Sequence, residues 1–393
     1  MSQLPDVTTG DAVATPREFM TYAASAGIKD ATLDLSIVAS GRPCAAAGVF
    51  TKSIFAGPSV ALCRRHLREG EPRAVVTVSK NANVATGPQG ERDAAELAAL
   101  VAAAIGARPT DVLVGSTGVI GRPYPMDRLR GHFAGLEMPT VSDFPLVARA
   151  IMTTDTVPKL ASARAGHAVV TGMAKGSGMI EPDMATMLGY VFTDAEVPRT
   201  VLEEMLARVA EVTFNSLSVD TDTSTSDSLI VLANGAAGAV APQELERALH
   251  AVCRSLTVQL AADAEGATKV IQVNVAAARD YQQARRVAKA VVNSPLVKCA
   301  VHGADPNWGR VVMAIGKCWE YTDIVPEAVR VSFGGFEVYP RPLDDQGLRD
   351  LAGIMQQPTV EIDVHLGTGQ DGATVWGCDL SDEYVHINAD YTT

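Results

Sequence analysis

The segment Lys175-Gly-Ser-Gly-Met-Ile-Glu-Pro-Asp-Met-Ala-Thr-Met-Leu188 contains the residue types that a self-cleaving peptide bond needs. Its two glycines and Pro182 disfavour a regular helix, because glycine loosens the backbone and proline removes a hydrogen-bond donor. Ala185 is a small residue directly before Thr186, whose hydroxyl could attack the carbonyl carbon of Ala185. That attack would break the Ala185–Thr186 bond and leave Thr186 with a free α-amine.

The new amine would make Thr186 a nucleophile for a second reaction. An α-amino group has a pKa of roughly 7.7–8, so part of it is unprotonated near neutral pH. It can then accept the proton of its own hydroxyl, which is the N-terminal-threonine form of an activated nucleophile. The same residue types also fit an ordinary Gly-Pro loop that leads into a buried strand, predicted at 187–192. The motif alone leaves both interpretations open.

Residues 175–188 resemble the processing-site motif of the ornithine acetyltransferases, a family that also contains the bifunctional glutamate N-acetyltransferases of arginine biosynthesis. The resemblance extends over nearly the whole chain in seven further ordered blocks. These blocks are residues 81–87, 115–121, 151–156, 263–269, 293–298, 302–310 and 388–393. Within the family, residues 181–186 and 220–227 are most similar to the paralogue associated with clavulanic-acid gene clusters.

The resemblance implies an α/β fold with α/β/β/α layers, in which helices cover two stacked sheets, and a self-processing enzyme of the N-terminal-nucleophile type. It implies self-cleavage into an N-terminal fragment, 1–185, and a C-terminal fragment, 186–393, and a heterotetramer of two copies of each. It also implies the reaction. The acetyl group of N2-acetylornithine would move to Thr186 and then to glutamate, giving ornithine and N-acetylglutamate.

Acyl transfer passes through a tetrahedral oxyanion, which needs hydrogen-bond donors about 2.7–3.1 Å away. Ser116-Thr-Gly118 follows a short predicted strand and could supply a hydroxyl and a backbone N–H. By itself this tripeptide is a common turn. Because it lies within one of the family's blocks, the resemblance assigns the oxyanion hole to Thr117 and Gly118.

N2-acetylornithine carries a carboxylate and a δ-ammonium, so its site needs one group of each sign. Lys175 matches the family's substrate-binding lysine and could bind the carboxylate. Glu265 follows the predicted helix 242–263, where the helix dipole disfavours a negative charge by about 0.3–1 kcal/mol, so a role in binding the ammonium is expected. The remaining substrate contacts implied by the family are Thr153, with Thr154 as the alternative if the register differs by one, Asn388 and Thr393.

Several alternatives remain open from the sequence. Within the family, the enzyme could also use acetyl-CoA as donor, although the likeness to the clavulanic-cluster paralogue favours N2-acetylornithine. A related amidase or aminopeptidase would use water as acceptor, and a non-enzymatic scaffold would have an inert Thr186. His302 could be a catalytic histidine, but it is interpreted as a packed, hydrogen-bonded side chain. Ser116 could be a rival nucleophile, but it is interpreted as a neighbour of the oxyanion hole.

One departure from the family pattern lies beside the predicted cleavage site. Glu181 and Asp183 place two acids where many relatives have uncharged residues. We expect these charges to affect the rate of cleavage or the specificity of the enzyme. They also leave open whether the product serves arginine synthesis or a specialised pathway.

Charge and composition exclude some classes of function. Among 393 residues, 45 acids exceed 33 bases, for a net charge of −12, which disfavours binding to nucleic acid through phosphates. The N-terminal residues show no secretory signal, and no run of 18 apolar residues could cross a bilayer. We therefore expect a cytoplasmic enzyme without membrane contacts. No metal-site spacing and no nucleotide fingerprint is present, so neither a metal nor a cofactor is predicted, and the six scattered cysteines are expected to be buried free thiols.

Periodicity predicts alternating strands and helices around these motifs. Strands are predicted at 74–80 and 111–115, with a helix at 91–107 between them. Helices are also predicted at 198–212 and 242–263, and alternation over 360–366 predicts a strand with one wet face. Residues 220–228 are predicted to form a surface loop, and 367–372 a turn between strands.

Overall fold

A computed structural model describes residues 4–181 and 187–390. The predicted junction, Ala185 and Thr186, lies outside the described residues, as do Asp183 and Thr393.

The described ranges contain sixteen strands. They are Thr8–Thr9 (β1), Phe19–Ala24 (β2), Leu35–Ser40 (β3), Ala45–Phe50 (β4), Ala74–Val78 (β5), Val112–Ser116 (β6), Lys159–Ala165 (β7), Ala168–Lys175 (β8), Leu188–Glu196 (β9), Leu217–Ser218 (β10), Ser228–Ala239 (β11), Val270–Ala278 (β12), Arg330–Phe333 (β13), Phe336–Tyr339 (β14), Thr359–His365 (β15) and Asp371–Cys378 (β16).

Eleven α-helices connect these strands within the same ranges. They are Pro58–Glu69 (α1), Gly87–Ile105 (α2), Met126–Phe133 (α3), Phe144–Ala150 (α4), Arg199–Val212 (α5), Pro242–Ala262 (α6), Tyr281–Val292 (α7), Pro295–His302 (α8), Gly309–Gly316 (α9), Asp345–Met355 (α10) and Asp382–Asp390 (α11).

The strands form three sheets. The first sheet has the order β1-β7-β8-β9-β11-β4, and the second has the order β2-β3-β5-β6. The third sheet has the order β10-β16-β12-β15-β13-β14. The first sheet therefore contains strands from both sides of the predicted junction, because β8 precedes it in the chain and β9 follows it.

The first and second sheets pack face to face. Tyr190 and Phe192 of the first sheet belong to the same buried cluster as Val38, Val75 and Leu113 of the second. Helices α2 and α3 cover the outer face of the second sheet, and α5 and α6 cover the outer face of the first. These four layers confirm the predicted α/β fold with an α/β/β/α arrangement.

The third sheet adds a part that the sequence analysis did not foresee. One of its faces packs against α7, α9 and α10 in a separate cluster that includes Val273, Ile362 and Val375. The alternation predicted over 360–366 is confirmed, since β15 alternates between buried and more exposed residues. Strand β10, which follows α5 in the chain, pairs with β16 of this sheet, and its Leu217 belongs to the same buried cluster as Val170 and Val191 of the first sheet.

The long predicted helices are confirmed with small shifts at their ends. The helix predicted at 198–212 begins at Arg199, and the one predicted at 242–263 ends at Ala262. The helix predicted at 91–107 begins earlier, at Gly87, because Pro88 fits its first turn. It ends at Ile105, where Gly106 adopts a left-handed conformation with φ +63°.

Five of the six cysteines are buried free thiols, as predicted, but Cys299 is exposed. The reason is its position on α8, whose buried face is formed by Val297, Ala300 and Val301. Burial raises the pKa of Cys63 to about 12. In the part of the chain that the structure describes, no helix has the length and apolar character needed to cross a membrane.

Candidate functional site

Three strands of the first sheet converge at the edge where the predicted junction belongs in the chain. Strand β8 pairs with β9 in antiparallel register, with Lys175 opposite Leu188. Strand β11 runs parallel to β9, with Ser228 opposite Leu188. The end of β8 and the start of β9 therefore lie at the same end of the sheet. Asp227, which directly precedes β11, lies at that end as well.

A cavity of about 190 Å³ opens at this edge. Its wall includes Met187 and Leu188, which directly follow Thr186 in the chain. Every predicted site residue that lies within 4–181 and 187–390 also lines it. These residues are Thr117, Gly118, Thr153, Lys175, Glu265 and Asn388, and Thr154, the alternative to Thr153, lines it as well.

Glycine is required at position 118 by the backbone. Gly118 has φ +126°, and a Cβ atom there would lie 2.3 Å from the carbonyl carbon of Lys80. The turn is held by the Thr117 N–H, which donates to the Val78 carbonyl at 3.0 Å, and by bridges from Asn81 to Thr117 and Val119. The predicted oxyanion segment is thus a fixed turn on the cavity wall.

Lys175 is buried and contacts this turn. Its Nζ donates to Thr117 Oγ1 at 3.0 Å, which joins the end of β8 to the segment after β6. Burial lowers the pKa of Lys175, while the nearby Asp155 carboxylate opposes that shift. A hydroxyl that accepts one hydrogen bond can still donate another, so Thr117 can offer its own proton to a bound group.

Glu265 lines the cavity and packs against the glycine-rich loop after β8. Its Oε2 accepts from Asn388 Nδ2 at 2.9 Å, and its N–H donates to the Ser177 carbonyl at 2.8 Å. A Cβ at Gly178 would lie 2.3 Å from Glu265 Oε2, so glycine leaves room for the carboxylate. Helix α6 ends at Ala262, so Glu265 lies three residues beyond the last helical residue, close to where the predicted helix placed it.

The loop after β8 is held by Asp220. Its two carboxylate oxygens accept from the N–H groups of Met179 at 2.6 Å and Ile180 at 2.8 Å. Residues 220–227 form a loop as predicted, whereas Ser228 already belongs to β11. The expectation of a surface position is wrong for Ser226 and Asp227, which are buried and line the cavity, and for Ser228, which is buried in the strand. The polar run therefore supports the site, because its side chains pair with the backbone of the neighbouring loop.

The carboxylate of Glu181 points away from the cavity, towards α7. It accepts from Asn293 Nδ2 at 2.5 Å, from Ser218 Oγ at 2.8 Å and from Lys289 Nζ at 3.1 Å. The negative charge of Glu181 is thus paired with the Lys289 ammonium, and these hydrogen bonds hold the loop after β8 against α7. Asp183, the second acid that departs from the family pattern, lies outside the described residues.

The two residues that the sequence analysis set aside as catalysts have other partners. His302 Nδ1 lies 2.8 Å from Asp379 Oδ2, so this histidine is hydrogen-bonded as expected, and it does not line the cavity. The expectation of a packed side chain is wrong, because His302 lies at the exposed end of α8. Ser116 is buried, and its hydroxyl hydrogen-bonds to that of Tyr124. Neither hydroxyl nor imidazole therefore competes for the role predicted for Thr186.

Sequence reasoning missed a buried ionic group behind the cavity wall. Lys159 Nζ donates to Asp155 Oδ1 and to Asp263 Oδ2, both at 2.6 Å. Asp155 lies within the family block 151–156 and Asp263 within the block 263–269, so the sequence could have indicated that these two acids matter. Lys159 lies outside all of the family's blocks, and nothing in its sequence neighbourhood indicates a buried ammonium.

Comparisons with known proteins agree with the predicted resemblance. Residues 20–393 match the model of the ArgJ family. The arginine biosynthesis bifunctional protein ArgJ 2 of Nostoc sp. is 50% identical over 97% of this chain and 99% of its own length. Glutamate N-acetyltransferase Oat2 of Streptomyces clavuligerus is 48% identical over 96% of this chain and 98% of its own, which matches the predicted likeness to the clavulanic-cluster paralogue.

Two solved structures are similar to parts of this chain. The crystal structure of arginine biosynthesis bifunctional protein ArgJ from Bacillus halodurans aligns at 37% identity and a TM-score of 0.48, covering 51% of this chain and 98% of that one. Ornithine acetyltransferase from Mycobacterium tuberculosis, solved in complex with ornithine, aligns at 37% identity and a TM-score of 0.41, covering 46% of this chain and all of that one. With a family match over nearly its full length and relatives of up to 50% identity among those compared, the chain belongs to the ArgJ family.

Proposed function

We propose that this protein transfers the acetyl group of N2-acetylornithine to glutamate through an acetyl ester on Thr186. One observation carries the proposal. One cavity is lined by a buried lysine, Lys175, and a carboxylate, Glu265, together with the fixed turn Thr117–Gly118. Its lining also includes Met187, the residue that follows Thr186 in the chain. This arrangement offers one charge of each sign for the substrate and hydrogen-bond donors for an oxyanion, in a cavity lined by the residue that directly follows Thr186 in the chain.

Self-cleavage comes first in the proposed sequence. Thr186 Oγ forms a bond to the carbonyl carbon of Ala185, and the C–N bond breaks as the Thr186 nitrogen takes up a proton. Water then hydrolyses the resulting ester and leaves a carboxylate on Ala185 and a free amine on Thr186. The fragments 1–185 and 186–393 remain joined, because β8 of one pairs with β9 of the other. Assembly as two copies of each fragment belongs to the same proposal.

Acetyl transfer then uses the same groups. The α-amine of Thr186 accepts the hydroxyl proton, and Oγ attacks the acetyl carbonyl of N2-acetylornithine. The Thr117 hydroxyl and the Gly118 N–H donate to the oxyanion that forms. When that intermediate collapses, the C–N bond breaks and ornithine leaves with the proton on its amine. The amine of glutamate attacks the ester by the reverse path.

The charged ends of the substrate fix its orientation. Lys175 has three donors, so its ammonium can bind the substrate carboxylate while it donates to Thr117. Glu265 is already held by Asn388 at 2.9 Å, so its carboxylate is oriented before the δ-ammonium arrives. Thr153 lines the same wall, and Thr393, which is also assigned to substrate binding, lies outside the described residues.

The decisive experiment follows the acetyl group. Incubation with N2-acetylornithine alone should add one acetyl group to the C-terminal fragment, seen by mass spectrometry, and added glutamate should remove it as N-acetylglutamate. Acetyl-CoA is tested as donor in parallel, because the relatives are named bifunctional, and we expect slower N-acetylglutamate formation from it. Release of acetate without transfer would instead indicate an amidase, and the absence of adduct and product would contradict an enzymatic role for Thr186.

Replacement of Glu265 by glutamine should weaken the use of N2-acetylornithine more than the use of glutamate. The amide keeps the shape of the side chain but removes the charge opposite the δ-ammonium, and a hydrogen bond to a charged group is worth about 1.5–3 kcal/mol. We expect a loss of roughly 10- to 100-fold in kcat/KM for N2-acetylornithine, with a smaller effect on glutamate, whose side chain is an anion. Steady-state kinetics for each substrate provide the measurement, with the exposed Glu203→Gln as the control. Equal weakening of both substrates would contradict the role given to Glu265.

A further inference from the structure

A fully buried ammonium lies behind the cavity wall. Lys159, at the start of β7, is 0% exposed, and its two carboxylate partners, Asp155 and Asp263, are 8% and 9% exposed. Moving such charges out of water is costly, and a buried ion pair is by itself weak evidence of a contribution to stability. The position of this group therefore calls for a role other than stabilisation of the core.

The two carboxylates also accept hydrogen bonds from the backbone, at two residues of the cavity wall and at Thr156 in the adjoining segment. Asp155 Oδ1 accepts from the Gly176 N–H at 2.7 Å, and its Oδ2 accepts from the Thr153 N–H at 3.0 Å. Asp263 Oδ2 accepts from the Thr156 N–H at 3.0 Å. Lys159 thus connects three separate segments of the chain through two carboxylates.

Each of these three segments carries one of the proposed substrate-binding residues. The N–H of Thr153 itself donates to Asp155. Lys175 directly precedes Gly176, whose N–H also donates to Asp155, and Glu265 lies two residues after Asp263. We propose that the Asp155–Lys159–Asp263 triad is the positioning device of the substrate cleft. It fixes the spacing of Thr153, Lys175 and Glu265 and keeps the ammonium of Lys175 charged. The inference rests on the proposed function, because it assigns these residues to the binding of the same substrate.

The charge of Lys175 depends on groups that face it from several elements. Burial lowers its pKa, Asp155, Asp227 and Glu265 raise it, and Lys159 lowers it further. Burial tends to raise the pKa of Asp155, but Lys175 and Lys159 more than offset this and hold it at about 2. Asp155 is therefore an anion at any working pH, and it is the neighbour that contributes most to keeping Lys175 protonated.

Variants of the triad should move the pH profile in opposite directions. If charged Lys175 binds the substrate carboxylate, kcat/KM for N2-acetylornithine falls as pH rises through the pKa of Lys175. Asp155→Asn removes an anion and lowers that pKa, so the alkaline limb of the profile should move to lower pH by roughly one pH unit or more. Lys159→Met removes a cation and raises that pKa, so the limb should shift up.

Asp263→Asn separates positioning from charge. The largest influences on the pKa of Lys175 are burial, Asp155, Lys159, Asp227 and Glu265. Asp263 instead accepts a hydrogen bond from Lys159 and holds the segment that leads to Glu265. We expect an increase in KM for N2-acetylornithine with the alkaline limb unmoved. Glu203→Gln, which breaks the exposed Arg199–Glu203 pair, is the matched control and should change neither quantity.

The profiles are measured on variants whose folding is verified by circular dichroism, and Asp155→Asn alone decides the charge question if Lys159→Met does not fold. An alkaline limb unchanged in Asp155→Asn, or moved in the same direction by both variants, would overturn the inference. An unchanged KM in folded Asp263→Asn would overturn the positioning role. Failure of the proposed function has a different signature, since the wild-type protein would then transfer no acetyl group.

Discussion

Replacement of Thr186 by alanine should give a single uncut chain without acetyl-transfer activity. Alanine lacks the hydroxyl that attacks the Ala185 carbonyl, so no new α-amine forms and no acetyl ester can follow. Removal of a covalent nucleophile can cost on the order of 10⁶ in kcat. A denaturing gel should show one band for the variant and two for the wild type, whose second fragment should begin at Thr186 by N-terminal sequencing.

Thr186→Ser is the matched control for this experiment. Serine keeps the hydroxyl, so the variant should still cut, at a lower rate, and should still accept an acetyl group. If the alanine variant splits at the same bond or continues to transfer acetyl groups, the proposed nucleophile is wrong. The described part of the site, including Lys175 and Thr117, would then need another reacting group.

Much of the fold could be predicted because long periodic segments carry their own signal. Helix α6 has apolar residues on one face over 21 residues, and its predicted and observed ends differ by one residue. The sandwich itself came from resemblance, since composition alone gave only an α/β class. The third sheet was not foreseen because pairing between β10 and β16 joins residues more than 150 positions apart, which no local pattern encodes.

The candidate site shows the same division between local and distant information. Gly118 was assigned from its sequence block, and the structure adds the reason, which is a close approach to Lys80 across two loops. Lys159 could not be found from sequence, because an isolated lysine is normally solvated and its partners lie 4 and 104 residues away. Glu181 could be recognised from the sequence as an acid near the junction, but its partners Lys289 and Asn293 could not, because they lie 108 and 112 residues away in the chain.

Removal of the Thr117 hydroxyl should slow both cutting and turnover. Both reactions pass through an oxyanion, and loss of one donor typically costs ~10²–10³ in kcat. Because that charge develops only in the transition state, we expect the loss in Thr117→Ala to appear in kcat more than in KM. The rate of fragment formation, followed on gels after expression, and steady-state acetyl transfer by the mature enzyme measure the two effects.

The contact between Thr117 Oγ1 and Lys175 Nζ, 3.0 Å apart, gives this prediction a second readout. In Thr117→Ala the lysine loses an acceptor but keeps its charge and its neighbour Asp155, so binding of the substrate carboxylate should persist and KM should change little. Thr117→Ser restores the hydroxyl and should recover most of both rates, and the exposed Thr200→Ala should behave as wild type. If only turnover slows while cutting proceeds normally, the two reactions use different donors, and a single oxyanion hole for both is excluded.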